Sequence, residues 1–131
     1  MEKDKKKIKE VEELRELSEE ITIVNIGLRT FERHRNSDGS IGGFVEDTAQ
    51  VASTAYIAPT AIVEEHAKVL DHAKLFDKTK VSGWAIIHRN AQLHDNVKVF
   101  DNAEVSKDAK LYGNIIVSKD EVIESNDLRR S

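Results

Sequence analysis

The sequence predicts an all-β fold: about four triangular coils of short strands stacked along one axis, entered through an N-terminal α-helix and cap. Three observations predict it. An apolar residue returns at every sixth position from Val45, through Val51 and Ile57, to Ile123, and no member of the series is polar. A second series runs in step two residues ahead of each return, from Ala49 to Ile115, and nine of its twelve members are Ala. The third observation is sparse punctuation. One Pro and six Gly serve the whole chain, and its second half has no helical periodicity, so a regular but non-helical repeat must organise it.

A helix repeats every 3.6 residues and a strand every 2, so a period of six needs its own geometry. Successive strand side chains alternate faces. Each hexad therefore offers a strand of about three residues whose middle one points inward, followed by a bend. The large apolar residue is that middle one. The Ala sits where two walls converge and only a small side chain fits. Three sides close a coil of eighteen residues, and coils stack roughly 4.8 Å apart through parallel ladders. The fourth position of the hexad begins Thr48, Thr54, Thr60, His66, His72 and ends at Asp120. It is rich in Asn, Asp and His, the non-Gly types that best tolerate left-handed backbone angles, and is expected to carry the turn.

This pattern, with IAPTAIV at Ile57–Val63 as its most typical piece, resembles the hexapeptide-repeat superfamily. The resemblance covers Val45 to about Ile123. It implies a left-handed parallel β-helix, an exception to the right-handed crossover rule, and a homotrimer. A second, shorter stretch, DGSIGGFVE at Asp38–Glu46 preceded by IVNIGLRTF, resembles the cap of a set of bacterial and phage hexapeptide-repeat proteins that carry a GDLGGF-I-E-like motif. Some of those proteins bear a transferase label.

The elements follow in order. Residues 1–20 form an amphipathic helix, with Ile8, Val11, Leu14, Leu17 and Ile21 as a narrow apolar stripe among Lys and Glu. That stripe is expected to dock on the coils or to pair with other copies. Residues 21–44 cap the first coil, with ITIVNIG as a strand and Arg29–Gly43 as a polar, glycine-containing loop. An uncovered coil end would expose ladder groups to edge-to-edge growth. Residues 45–124 are the β-helix, and 125–131 a flexible tail.

Composition narrows the function classes. The 131 residues suit one domain with a core. A net charge of -4 does not favour nucleic-acid binding over the whole surface. There is no Cys, hence no disulfide framework, thiolate metal site or Cys nucleophile. No apolar run approaches the roughly 20 residues of a membrane span, and the N-terminus lacks the apolar stretch of a signal peptide. A cytoplasmic setting, in a bacterial cell or an infected host cell, is expected.

Residues eighteen apart stack, which assembles outward columns. Phe76, His94 and Tyr112 share one; Leu70 and His88 share another; Ile86, Phe100 and Ile116 lie on others. This is more outward apolar surface than a monomer usually shows, and a subunit interface is its expected use. Trp84, at a bend above His66, is a candidate contact for a partner. The binding residues expected are Trp84, Phe76, His94 and Tyr112.

The chemical alternatives are weaker. The fold's carbonic anhydrases hold zinc with three His from two neighbouring subunits. Here His66 and His72 fall at consecutive bends, His88 and His94 on different faces, and the accompanying motifs are missing, so no metal site is expected. An acyltransferase of this fold would use acetyl-CoA or another acyl donor and a general-base His, for which His88 and His94 are the candidates. IIVSKDEVI, Ile115–Ile123, is similar to that family's closing stretch, but without the Pro that follows it. No loop interrupts the coils to fold over a substrate. Asp77 and Asp95 stack at one bend, as two solvated carboxylates or a cation bridge. Lys3, Lys5, Lys6, Lys7 and Lys9 make a basic start, interleaved with Glu2 and Asp4. The leading expectation is a non-enzymatic homotrimeric interaction or assembly protein, phage-encoded, that binds a host or virion component through protein–protein contacts and uses no cofactor.

Overall fold

Each hexad forms one two-residue strand in which the first residue points out and the periodic apolar residue points in: Lys68–Val69, Lys74–Leu75, Lys80–Val81. The computed structural model of the chain describes residues 8–125. Strands eighteen residues apart pair in parallel. Ile87 lies between Val69 and Val105, Leu93 between Leu75 and Leu111, and Val99 between Val81 and Val117. The three sheets so formed close a left-handed β-solenoid of about four turns, preceded by a short helical turn.

Both predicted registers line the interior. From Ile57 to Val117 every member of the apolar series is fully buried, and the companion series from Ala55 to Ile115 is buried with it. Thr79, the one hydroxyl in that column, is also fully buried and donates to Phe76 O at 2.8 Å. Small side chains at the corners let the walls meet, so a larger one must push them apart. Ala91→Leu should therefore cost roughly 1–3 kcal/mol in urea melts, whereas Lys98→Leu on the outside should cost little. The opposite ranking would contradict the register.

The corners differ from the expectation by one residue. Positive φ falls not on the fourth hexad position but on the residue before it: Glu65, Asp71, Asp77, Arg89, Asp95, Asp101, Lys107 and Lys119, with Gly83 and Gly113 filling the remaining steps. Where the residue eighteen positions earlier is acidic, its carboxylate in the coil below accepts the N–H of the left-handed residue. Arg89 N donates to Asp71, Asp95 N to Asp77, Gly113 N to Asp95 and Lys119 N to Asp101, all at 2.8–2.9 Å. Asp77 and Asp95 are thus rungs of a side-chain-to-backbone ladder. The first coil lacks positive φ at Asp47, Ser53 and Pro59, and the proline ring forbids it outright. There the hydroxyls of Thr48, Thr54 and Thr60 donate to the carbonyls of Glu65, Asp71 and Asp77 at 2.6 Å. Backbone N–H groups make that bond in the coils above, as in His66 N to Gly83 O.

The cap has the strand expected within Ile21–Gly27, but two further strands stand where Arg29–Gly43 was expected as a loop. β1 (Ile23–Ile26), β2 (Arg29–Arg35) and β3 (Ile41–Glu46) form an antiparallel meander. Its last strand runs into the first coil and pairs in parallel with Ile62–Val63, so one sheet has seven strands. The alternation of β2 was hidden because one of its inward positions is Arg33. The Gly42–Gly43 pair that read as loop sits inside β3, where glycine marks close backbone approach. A Cβ on Gly43 would strike Ala61 O, and one on Gly42 would strike Ile57 O. Beneath the second sheet, the Asn36 amide takes the place of a missing strand: it donates to Ile57 O at 3.1 Å and accepts from Ile57 N at 2.9 Å.

Among the described residues the N-terminal segment is helical only over Val11–Glu16, as a 3₁₀ turn rather than the longer α-helix expected. Ile8, Val11, Leu14 and Leu17 recur every three residues, which matches 3.0 residues per turn better than 3.6. Val11 and Leu14 pack with Phe31, Phe44 and Ile62 in a second apolar cluster on the outside of the coil. The stripe therefore docks on its own chain. Arg15 fastens it by donating to Thr60 O and Lys78 O, and Glu12 pairs with Lys80 at 2.6 Å.

Candidate interaction surface

The three outer faces have different characters. One is covered over its lower half by the cap and the N-terminal turn. The second carries the column Phe76, His94, Tyr112, and the third carries His88. Because parallel strands superpose equivalent side chains at the ladder spacing, the predicted ring column forms. Phe76 and His94 stack with centroids 4.6 Å apart and planes 15° apart; His94 and Tyr112 stack at 4.5 Å and 14°. Tyr56 joins below at a tilt, 5.5 Å from Phe76. Phe76 and His94 are half-buried by their neighbours, while Tyr112 is 43% exposed at the top of the stack.

Burial between two rings pushes the His94 imidazole below its ordinary pKa, partly opposed by the carboxylates of Asp77 and Asp95. A ring whose folded pKa lies below its unfolded value resists protonation, so the unfolded chain binds more protons between the two values. His94 therefore contributes stability fully above about pH 6.5, and that stability is lost as the pH falls toward the folded pKa. Thermal melts from pH 7.5 to 5 should show a smaller acid loss for His94→Phe, which keeps the stack. An unchanged slope would remove His94 as the cause.

Trp84 stands at a corner, 60% exposed, stacked on His66 with centroids 4.2 Å apart. It lies on a different edge from the Phe76–His94–Tyr112 column, so the predicted binding residues form two separate patches. The other outward apolar groups sort as follows: Ile116 is exposed, while Leu70, Ile86 and Phe100 are half-buried.

His88 is held differently. Its Nε2 donates to Glu104 Oε2 at 2.6 Å, and its Nδ1 lies 3.8 Å from Asp71 Oδ2. Asp71, His88 and Glu104 belong to three successive coils. A general base needs a ring nitrogen open to the substrate proton; Nε2 of His88 is taken by Glu104, whereas Nδ1, with Asp71 at 3.8 Å, makes no hydrogen bond among the described residues. His94 donates from Nε2 to Gln92 Oε1 at 3.1 Å and has rings on both faces. His88 and His94 lie on different faces and do not form a joint site. Among the described residues no group of three or more His, Cys, Asp or Glu is placed to hold a metal ion. No helix among them is long and apolar enough to cross a membrane. Of the basic start, only Lys9 falls within the described residues, and most of the tail lies outside them.

The sequence reading missed the polar centre of the cap. Arg29 bridges Glu46 (2.6 Å) and Glu64 (2.9 Å), and its guanidinium holds the Glu46 carboxyl below the usual range. Arg33, 8% exposed, donates to the carbonyls of Ile21, Gly42, Pro59, Leu17 and Ser18, with its guanidinium 4.2 Å above the Phe44 ring. His34 donates to Ala55 O at 3.1 Å. A cavity of about 230 Å³ at the open base is lined by these cap strands and by Val45, Ala49 and Val51. It contains none of the predicted binding residues. No protein-family model matches the chain, and neither a curated protein nor a solved structure was found to match it.

Proposed function

We propose that the chain is a non-enzymatic interaction or assembly protein that works as a homotrimer and binds a protein partner through exposed rings. The observation that carries this reading is the ordered ring column ending in exposed Tyr112, with the stacked, exposed Trp84 on another edge. Rigid aromatic side chains are common anchors of interfaces, and a column prearranged by strand stacking loses little entropy when a partner covers it. Two patches on separate edges allow one to serve self-assembly and the other a partner. The likeness of the DGSIGGFVE segment to bacterial and phage proteins points to a host or virion component as that partner.

Light scattering should give close to three times the 14.8 kDa chain mass. Tyr112→Ala or Trp84→Ala should weaken trimerisation or partner capture by ~1–3 kcal/mol without unfolding the coil. A clean monomer at micromolar concentration, with both variants neutral, would defeat the proposal.

A second reading, an acyltransferase using acetyl-CoA, has one observation in its favour: the short His88–Glu104 pair, which is how a carboxylate orients a catalytic imidazole. Saturable acetyl-CoA binding, abolished by His88→Ala or His94→Ala, would establish it in place of the first.

A further inference from the structure

We propose that the groove between the N-terminal turn and the corner carrying Lys78, Asn96 and Asn114 binds a short acidic peptide segment of a protein partner through its side-chain carboxylates. The proposal rests on the interaction reading above and gives that partner a chemistry. The groove has a volume of about 280 Å³ and is lined by Glu12, Arg15, Lys78, Asn96, Lys98 and Asn114.

Its charge runs against the rest of the molecule. Three cations and one carboxylate line it, on a chain whose net charge is -4. The single carboxylate is already engaged, because Glu12 is paired with Lys80 at 2.6 Å. Arg15 spends Nε and Nη2 on Thr60 O and Lys78 O, which fixes the guanidinium and leaves Nη1 as a further donor. Neither Lys78 nor Lys98 pairs with a carboxylate among the described residues. Asn96 donates to Asn114 Oδ1 at 3.2 Å, so the Asn114 amide keeps its own N–H groups for a ligand. What remains open is mainly donors, and their complement is a group that only accepts. An ionised carboxylate is such a group.

Asp77 and Asp95 occupy the same corner, one residue before Lys78 and Asn96, and both are exposed. They repel any long run of negative charge laid along the coil, phosphate or carboxylate, so the ligand must be a short segment that presents its carboxylates to the donors. Lys78, Asn96 and Asn114 stand one coil apart, roughly 4.8 Å per step, so carboxylates one or two residues apart on an extended segment could meet successive donors.

The probe is a fluorescein-labelled hexaglutamate peptide, titrated with the full chain at low salt and followed by anisotropy. Binding should be saturable, weaken with salt and be missing for hexaglutamine. Lys78→Glu and Lys98→Glu should each weaken it on the order of 10-fold, with thermal melts confirming that both variants fold. Lys68→Glu, on another face and outside the groove, should change it much less. Three results would overturn the proposal: no binding of hexaglutamate, equal loss on Lys68→Glu, or binding of inorganic phosphate alone in the same groove. Light scattering on the same samples reports the trimer, so failure of the groove and failure of the assembly reading are told apart.

Discussion

Arg33→Ala should detach the cap from the first coil and cost about 3 kcal/mol or more, because several main-chain carbonyls lose their donor at once. The side chain gathers five main-chain carbonyls from the N-terminal segment, β3 and the first coil. Without it those acceptors are left partly buried, each costing roughly 1–3 kcal/mol where water cannot replace the donor. Burial also pulls the guanidinium below its usual pKa, with Glu19 opposing; the carbonyl cage compensates that cost. Arg33→Lys keeps the charge but lacks the planar fork that serves divergent acceptors, so it should fall between wild type and Arg33→Ala. Urea melts measure the loss, and hydrogen exchange at Ile23–Ile26 locates it. A change under about 1 kcal/mol for Arg33→Ala would show that the cage is not a structural centre.

Gly43→Ala should be comparably damaging, at about 3 kcal/mol or more. The added methyl would overlap Ala61 O and lie 2.7 Å from Ala58 O. Both obstacles are main chain of the first coil, so no rotamer change relieves the clash and β3 must lift away. Its pairing with Ile62–Val63 and the packing of Phe44 under Arg33 would loosen together. Gly42→Ala, which meets Ile57 O and lies 3.1 Å from His34 O, should behave alike. Melts that leave either variant close to wild type would mean that the cap rides farther from the coil than the structure places it.

The candidate surface was legible in the sequence to the extent that it depends on the repeat. Once eighteen residues close a coil, Phe76, His94 and Tyr112 must superpose, and the 4.5–4.6 Å stacking follows from ladder spacing. His88 was legible as an outward histidine but not as one clasped by Glu104, sixteen residues on, and facing Asp71, seventeen residues back. That pairing depends on rotamers that lean between coils, which no spacing rule specifies. The groove under the N-terminal turn was not legible at all, because it exists only where Val11–Glu16 docks beside the corner.

The sequence by itself determined the coil, its three sheets and its core, because their information is periodic. Every hexad repeats the same local choice of side, size and polarity, and errors cannot accumulate without breaking the series from Val45 to Ile123. Tertiary structure decided what the repeat leaves open. It put the left-handed corner at Asp71, Asp77, Arg89 and Asp95, one residue earlier than expected, and at Arg89 and Asp95 the N–H so turned finds a carboxylate eighteen residues earlier. It made a 3₁₀ turn of a stripe spaced by threes, because a single row of side chains had one cleft to fill beside Phe31 and Phe44. And it made strands of the segment from Arg29 to Glu46, because an arginine can sit on the inner face when five carbonyls from distant elements converge on it. A hydrophobic pattern announces burial of apolar atoms; a buried cation announces nothing until its acceptors are in place.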